Sequence, residues 1–351
     1  MKIAQVAPLY EAVPPRLYGG TERIVAHLTD ALVDLGHEVT LFASGDSSTR
    51  ATLVPMREQA IRLDPDGLHS DLASHLSMLH EVRERQDEFD IIHFHVDLLH
   101  FPLFADVASR TLTTLHGRLD LKDLPAVYRR WSRFPMVSIS DHQRRPLRFA
   151  NWAGTVHHGM PPSHYRFSPS AGGDYLAFLG RLSPEKRPDR AIAIAKAAGL
   201  PLRIAAKIDV ADRAYFREIE PLLDDPSIEF IGEISDGEKS DFLGNATALL
   251  FPIDWPEPFG LVMIEAMACG TPVIAWACGA VPEVIDDGVT GRIVDSHAAA
   301  IAAVSEVATY DRMRIRQVFE RRFSAQAMAR NYASLYERRR RQRSDDARLL
   351  A

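Results

Sequence analysis

The chain has 351 residues, 46% of them hydrophobic, which is more than one ordinary domain core requires, so we expect two domains of similar size. Its net charge is -6, with 41 Lys and Arg residues against 47 Asp and Glu residues, and this balance argues against nucleic acid as a general partner. The two cysteines are too few for a disulfide scaffold and no apolar run reaches the length of a membrane span, so we expect a cytoplasmic protein.

Short β-like runs alternate with amphipathic segments through the first half of the chain. In residues 21–35, Ile24, Leu28 and Leu32 fall on one helix face, and Gly36 supplies a stop. This alternation predicts a parallel, doubly wound α/β sheet. The predicted strands are 3–7, 38–43, 90–95, 111–115 and 136–140.

The loop after the first predicted strand ends in Gly19 and Gly20, directly before the first helix. Glycines at such a place allow backbone amides to approach a diphosphate. The signal has low specificity, because the loop lacks a GxGxxG fingerprint and a tight structural turn explains the pair equally well.

A histidine lies at the end of the fourth predicted strand. His116 is followed by Gly117, which places an imidazole where open α/β sheets bind ligands. His93, His95 and Asp97 in HFHVD invite a metal interpretation. Two histidines spaced by two residues, without a further ligand set, do not complete such a site, and we predict no metal there.

A second alternating set begins near residue 175, after a proline- and glycine-rich stretch at 157–174 that has the composition of a linker. The sequence therefore predicts two Rossmann-like domains, at 1–165 and 166–324. The predicted strands of the second are 175–180, 202–206, 228–232, 248–252 and 272–276.

Two cations lie in the loop after the first strand of the second domain, Arg181 and Lys186 in GRLSPEKRP. A planar Arg fork and a compact Lys charge suit a diphosphate that holds negative charge as it leaves, without a metal ion. The alternative is that they are ordinary loop charges paired with Glu185 or Asp189.

Two glutamates, Glu257 and Glu265, frame the segment EPFGLVMIE. Gly260 permits close backbone approach, and the residues after it recur at near-helical spacing. The amides of residues 259–262 are therefore predicted to lie at a helix start, where free N–H groups and the helix dipole favour a phosphate or a hydroxyl-rich ligand. The alternative is a loop charge and a solvated helix residue.

Taken in order, the segments GGTE, LHG, GRLSPEKRP, EPFGLVMIEAMACGTPVIA and GAVPEVIDDGVTG resemble the retaining glycosyltransferases of family 4, of the group 1 type with the GT-B fold. The resemblance covers nearly the whole chain and is most specific from residue 252 to 291. It implies two Rossmann-like domains that face a central cleft, an acceptor in the first and a nucleotide sugar in the second. It also implies that a helix within 325–351 returns to the first domain.

The resemblance further implies a role for each candidate residue, and it implies no metal or other cofactor. Arg187, after Lys186, and Cys278, before Gly279, depart from the common family pattern and leave the fit of a particular sugar open. The implied roles are Glu265 on the ribose hydroxyls; Glu257 and the amides of Phe259, Gly260, Leu261 and Val262 on the transferred sugar; Arg181 and Lys186 on the diphosphate; Gly19 and Gly20 closing over it; and His116 near the reacting carbon.

The implied activity is transfer of a hexosyl unit from a UDP-, GDP- or ADP-sugar to a hydroxyl of a carbohydrate, lipid or small molecule. Two alternatives stay open: a phosphorylase or sugar-nucleotide epimerase on the same fold, and a nucleotide-sugar-binding protein without turnover. Candidates for acceptor contacts, by position alone, are Arg16, Tyr18, Asp97, Arg118 and Asp120.

The end of the chain is locally basic, with Arg338, Arg339, Arg340, Arg341 and Arg343 close together. We interpret this run as a solvated helix end. The alternative is weak peripheral contact with anionic lipid headgroups at the inner face of a membrane.

Overall fold

The computed structural model describes the backbone of residues 1–16 and 19–350, and side chains as far as residue 342. The chain divides into two compact units. Unit 1 comprises Met1–Met160 together with Ala325–Ala351, and unit 2 comprises Pro161–Ser324. The division after Met160 lies five residues before the predicted one, and the return to unit 1 begins at Ala325.

Unit 1 is built on a seven-stranded parallel sheet in the order β3-β2-β1-β4-β5-β6-β7. Every residue of its central strand β4 is buried, as expected where helices cover both faces of a parallel sheet. The strands are β1 Lys2–Val6, β2 Glu38–Ala43, β3 Thr52–Pro55, β4 Ile91–Phe94, β5 Thr111–Thr114, β6 Met136–Ser138 and β7 Trp152–Thr155.

The last helix of the chain packs against the first helix, within unit 1. Its Tyr332 and Tyr336 are fully buried there, so the last helix returns to the first domain as the family resemblance implies. The helices of the unit are α1 Gly20–Asp34, α2 Asp71–Glu84, α3 Phe101–Phe104, α4 Leu124–Arg130 and, from the end of the chain, α12 Ala325–Leu350.

Unit 2 contains a six-stranded parallel sheet in the order β10-β9-β8-β11-β12-β13. Its strands are β8 Leu176–Arg181, β9 Leu202–Lys207, β10 Ile228–Gly232, β11 Ala248–Phe251, β12 Val273–Trp276 and β13 Gly291–Val294. Its helices are α5 Pro188–Ala198, α6 Arg213–Ile219, α7 Asp236–Gly244, α8 Leu261–Cys269, α9 Val281–Val284, α10 His297–Val307 and α11 Arg312–Phe323.

Both sheets have the doubly wound α/β architecture that the alternating pattern predicts. Three strands, β3, β7 and β13, are absent from the predicted set, and each lies at an edge of its sheet. No helix in the described part of the chain combines the length and hydropathy needed to cross a bilayer.

Candidate active site

The turn before α8 places a helix start at the end of the loop that follows β11. Gly260 is the N-cap and has φ 85°, in the left-handed region that favours glycine. A Cβ there would also lie 2.8 Å from Cε of Met263, so the position has no room for a side chain. No side chain caps the first turn of α8. The backbone N–H groups of Leu261 and Val262 therefore lie at the positive end of the helix dipole, and the helix starts where the spacing predicts it.

An ion pair lies beside this helix start. Nζ of Lys186, from the loop after β8, binds Oε2 of Glu257, from the loop after β11, and both side chains are largely buried. The ammonium also lies 5.6 Å from the ring centroid of Phe251 and 5.1 Å from that of Trp255. Aromatic faces and a carboxylate together hold this cation in place. Two predicted site residues are thus in direct contact.

The backbone of Glu257 is held by the loop that follows β12. Gly279 has φ 60°, and a Cβ there would overlap the backbone N and O of Glu257. The amide of Ala280 donates to the carbonyl of Glu257 at 3.0 Å. Gly279 is a residue whose role the sequence reasoning missed, although the GAVPEV segment that contains it contributed to the family resemblance.

Arg181 is engaged by three carboxylates rather than left open to solvent. Its guanidinium contacts Glu185 at 2.7 Å, Asp212 at 3.3 Å and Asp209 at 3.5 Å. Burial raises the pKa of the Asp212 carboxyl, against the lowering effect of Arg181. The pairing with Glu185 is the alternative that the spacing left open. A diphosphate role for Arg181 therefore requires that a ligand replace some of these contacts.

Glu265 lies inside α8 and is buried, with 4% of its surface exposed. The hydroxyl of Tyr165 and Nζ of Lys239 both donate to its Oε1, each at 2.9 Å. Lys239 also pairs with Asp236 at 3.0 Å. The carboxylate is therefore not a solvated helix residue. Tyr165 and Lys239 were not among the predicted residues, and the only available signal was that Lys239 is one of six lysines in the chain.

The predicted glycine pair lies at the start of α1 in unit 1. Gly19 is the N-cap and Gly20 is the first helical residue. A Cβ on Gly19 would lie 2.8 Å from Cβ of Pro15, so the loop packs too closely for a side chain. This close packing is what we expect if the two glycines form a tight structural turn, which is the alternative that the sequence left open.

His116 follows β5 in unit 1 and contacts two further histidines. Its Nε2 lies 2.9 Å from Nδ1 of His95, and its ring stacks on that of His158 with the centroids 5.2 Å apart. Burial lowers the pKa of His116 to about 3, so the imidazole is neutral near pH 7. Its Nδ1 is enclosed and has no hydrogen-bond partner among the described residues.

His93 and His95 are held by hydrogen bonds inside unit 1. Each ring nitrogen of His93 contacts a hydroxyl, on Tyr336 and Thr114, at 2.7 Å. Across the part of the chain that the structure describes, no group of three or more His, Cys, Asp or Glu side chains is arranged to hold a metal ion.

Two family models match the chain, one on each half. The model described as Glycosyltransferase Family 4 matches residues 18–150, and the model described as Glycosyl transferases group 1 matches residues 166–322. The chain belongs to the family 4 glycosyltransferases.

Curated proteins similar to this glycosyltransferase include two from Mycolicibacterium smegmatis. A phosphatidyl-myo-inositol mannosyltransferase is 26% identical over 343 residues, which covers 87% of this chain and 85% of the relative. A D-inositol 3-phosphate glycosyltransferase is 36% identical over 126 residues, but that match covers only 35% of this chain and 29% of the relative.

Solved structures establish that the glycosyltransferase has the GT-B fold. AviGT4, a glycosyltransferase involved in avilamycin A biosynthesis, gives a TM-score of 0.73 at 24% identity and covers 96% of this chain and 97% of its own. Sucrose-phosphate synthase from Thermosynechococcus elongatus gives 0.76 at 19% identity, with coverages of 96% and 98%. HepE from Anabaena, in complex with UDP and glucose, gives 0.72 at 17% identity, with coverages of 95% and 98%.

The acceptor candidates of the glycosyltransferase differ in their surroundings. Asp97 has a left-handed backbone, with φ 49°, and desolvation raises the pKa of its carboxyl. Arg118 and Asp120 form a bidentate pair at 2.7 and 2.8 Å. Arg16 lies in the loop before α1, and Tyr18 lies outside the described residues.

Two arginines near the basic end of α12 have contacts within the described part of the chain. Arg339 donates to the carbonyl of Ser109 at 3.3 Å, and Arg341 lies 3.9 Å from a carboxylate oxygen of Glu337. The side chain of Arg343 lies outside the described residues.

Proposed function

We propose that this protein is a retaining glycosyltransferase that moves a hexosyl unit from a nucleotide-diphosphate sugar to a hydroxyl acceptor without a metal ion. The observation that carries the proposal is the buried Lys186–Glu257 pair beside the uncapped start of α8. A cation, a carboxylate and free amides at one place match the diphosphate and the hydroxyls of such a donor. The complex of HepE with UDP and glucose supports a nucleotide-sugar donor for a chain of this fold.

In this proposal unit 2 binds the donor and unit 1 binds the acceptor. Lys186 turns from Glu257 to the diphosphate when the donor binds, and Glu257 then accepts hydrogen bonds from the sugar hydroxyls. Glu265, oriented by Tyr165 and Lys239, accepts hydrogen bonds from the ribose. The charge and dipole at the helix start stabilise the leaving phosphate, which is the role that a metal ion has in other transferases.

The bond from the sugar C1 to the diphosphate oxygen breaks, and its electron pair leaves with the nucleoside diphosphate. The acceptor oxygen attacks C1 from the same face through an oxocarbenium-like state, which retains the anomeric configuration. The acceptor proton passes to the leaving phosphate oxygen. No side chain is required to act as the base in this scheme, which agrees with a His116 imidazole that stays neutral and weakly basic.

The test is nucleotide release from UDP-, GDP- and ADP-sugars, with and without EDTA, for the wild-type protein and Glu257→Ala. We expect EDTA-resistant release from one donor, with kcat/KM about 10- to 100-fold lower in the variant, which is the cost of a charge-assisted hydrogen bond. Glu233→Ala removes an exposed carboxylate of unit 2 and serves as the matched control. Full turnover by Glu257→Ala would contradict the proposed site.

Product analysis separates the alternatives. An α-linked product from an α-linked donor supports retention, whereas an inverted anomer contradicts it. Phosphate-dependent cleavage of a disaccharide would indicate a phosphorylase, and an isomerised donor without acceptor would indicate an epimerase. Tight donor binding with no product across a broad acceptor panel would indicate a binding protein.

Weak contact with an anionic membrane through Arg338 to Arg341 remains part of the proposal for a lipid acceptor. Co-sedimentation with neutral and anionic vesicles tests it, with the quadruple Arg→Gln variant as comparison. Equal sedimentation of the two proteins would remove the membrane from the proposal.

A further inference from the structure

A continuous chain of hydrogen bonds runs through the buried interior of unit 1, from His116 to α12. It connects side chains of β1, of β4 and β5 or the residues just after them, and of the last helix, which contributes two tyrosines. Its members, in order, are His116, His95, Gln5, Tyr336, His93, Thr114 and Tyr332, joined by contacts of 2.9, 2.7, 3.2, 2.7, 2.7 and 2.9 Å.

The amide of Gln5 sets the direction of this chain. Its Oε1 lies 2.7 Å from Nε2 of His95, and a carbonyl oxygen can only accept, so the Nε2–H of His95 donates. His95 is buried and neutral, because desolvation lowers its pKa well below the usual value. Its Nδ1 is therefore unprotonated and accepts from the Nε2–H of His116 at 2.9 Å. The second nitrogen of His116 is then a bare acceptor.

The same orientation of the Gln5 amide fixes the hydrogen bonds on its far side. Nε2 of Gln5 donates to the hydroxyl of Tyr336 at 3.2 Å, so that hydroxyl is free to donate to Nδ1 of His93. The Nε2–H of His93 then donates to Thr114, whose hydroxyl also shares a hydrogen bond with that of Tyr332. Among the atoms that link these seven side chains, Nδ1 of His116 is the nitrogen left without a partner among the described residues.

An enclosed acceptor without a partner costs free energy in the absence of ligand. We propose that Gln5 and His95 are positioning residues that hold His116 with a bare Nδ1, and that this atom accepts a hydrogen bond from a hydroxyl of the bound sugar. The identity of the ligand rests on the proposed function, whereas the position of the proton is a property of the free protein. The hydroxyl of Tyr336 accepts from Nε2 of Gln5, so the hydrogen bonds that orient His116 extend to α12.

The first measurement is nuclear magnetic resonance of the ring nitrogens in protein labelled with ¹⁵N-histidine, with His116→Gln used to assign the His116 signals. We expect a protonated Nε2 and an unprotonated Nδ1 in the free wild-type protein. A protonated Nδ1 would overturn the proposal, because it requires the reversed amide and the reversed direction of every bond in the chain. This measurement needs neither a donor nor turnover, so it stands if the proposed function fails.

The second measurement is the same spectrum for Gln5→Met, with Thr113→Val as the matched control. Thr113 also loses one buried hydrogen bond to a histidine, His100 at 3.0 Å, but it lies outside the chain. We expect Gln5→Met to give a mixture of His116 tautomers and Thr113→Val to leave the single tautomer unchanged. A single tautomer in Gln5→Met would show that Gln5 does not set it.

The third measurement links the tautomer to the ligand. Once the donor panel has identified a donor, its addition should shift the Nδ1 signal of His116 more than the Nε2 signal. The donor KM of Gln5→Met should rise about three- to tenfold with a smaller change in kcat, the size expected for one hydrogen bond. Turnover with no effect on Nδ1 would remove the sugar contact from the proposal while leaving the proposed activity intact.

Discussion

Acid should destabilise unit 1 steeply, because five of its histidines are neutral in the folded state. For all five, burial lowers the pKa, and for three of them neighbouring imidazoles lower it further. The unfolded chain has ordinary histidines, so below their usual pKa it binds more protons than the folded chain does. Stability is therefore fully present above about pH 6.5 and falls as the pH falls below it. The five are His93, His95, His100, His116 and His158.

The loss of unfolding free energy in acid follows from the number of histidines that stay neutral in the folded state. One pH unit below the unfolded pKa, each histidine that stays neutral in the fold costs about 1.4 kcal/mol, so five cost about 7 kcal/mol near pH 5.5. A typical domain has roughly 5–15 kcal/mol of stability. Unit 1 should therefore lose most of its stability between pH 7.5 and 5.5, with an uptake of roughly four to five protons on unfolding.

Hydrogen exchange read by mass spectrometry, corrected for the intrinsic pH dependence, gives the opening free energy of each unit separately. Unit 2 is an internal control, since only His164 and His297 of the 14 histidines lie within it. Peptides from β4 and β5 should lose protection as the pH falls, whereas peptides from β11 and β12 should lose little. Urea unfolding of the whole protein at the same pH values gives the slope of the total unfolding free energy against pH.

A pair of variants tests the cause. His100→Phe keeps an aromatic ring against Phe94, which the histidine stacks on at 3.8 Å, and should reduce the proton uptake by about one. His80 is exposed, and His80→Gln should leave the pH dependence of the opening free energy of unit 1 unchanged. Opening free energies of unit 1 that stay within about 1 kcal/mol from pH 7.5 to 5.5 would refute the reasoning.

Three further changes have expected outcomes in unit 2. Arg312 is buried and donates to three backbone carbonyls and one hydroxyl, so Arg312→Ala should cost about 3–5 kcal/mol in a denaturant melt; a loss below about 1 kcal/mol would contradict this. Gly279→Ala should lower kcat/KM at least about 100-fold through displacement of the donor-site turn, whereas Gly288→Ala, also at positive φ but in open space, should not. Tyr165→Phe should weaken nucleotide binding in calorimetry about three- to tenfold, because Glu265 loses the hydrogen bond from the Tyr165 hydroxyl, and unchanged affinity would separate that carboxylate from the ligand.

The interior strands of both sheets could be predicted from the sequence because they are continuous apolar runs. Strands β2 and β10 match the predicted bounds, and the others shift by a residue or two at their ends. The three unpredicted strands lie at sheet edges. Each of these three strands has four residues, with neither a long buried run nor a clear alternation; in β3 the four are all exposed or half-buried. The fourth edge strand, β10, was predicted, and its five residues alternate in exposure.

The candidate site also has one part that the sequence predicted and one part that it did not. Local chain geometry put a helix start after Gly260, and the motif order suggested that Lys186 and Glu257 serve the same ligand. Tyr165, which binds Glu265, and Gln5, which binds His95, come from distant positions that no local pattern singles out. Contacts of this kind depend on the packing of whole elements, which spacing along the chain does not encode.

The return of α12 to unit 1 has a consequence for how the protein is made. Unit 2 is contiguous, so all of it has left the ribosome once Ser324 has emerged, whereas unit 1 waits for a helix that is encoded after all of unit 2. Gln5 meets Tyr336 across 331 positions of chain. Throughout synthesis of unit 2, the nascent first sheet holds a buried His93 and a buried Gln5 whose shared partner, Tyr336, does not yet exist. Tyr336, which completes these buried hydrogen bonds of the first domain, is therefore synthesised only after the whole of unit 2.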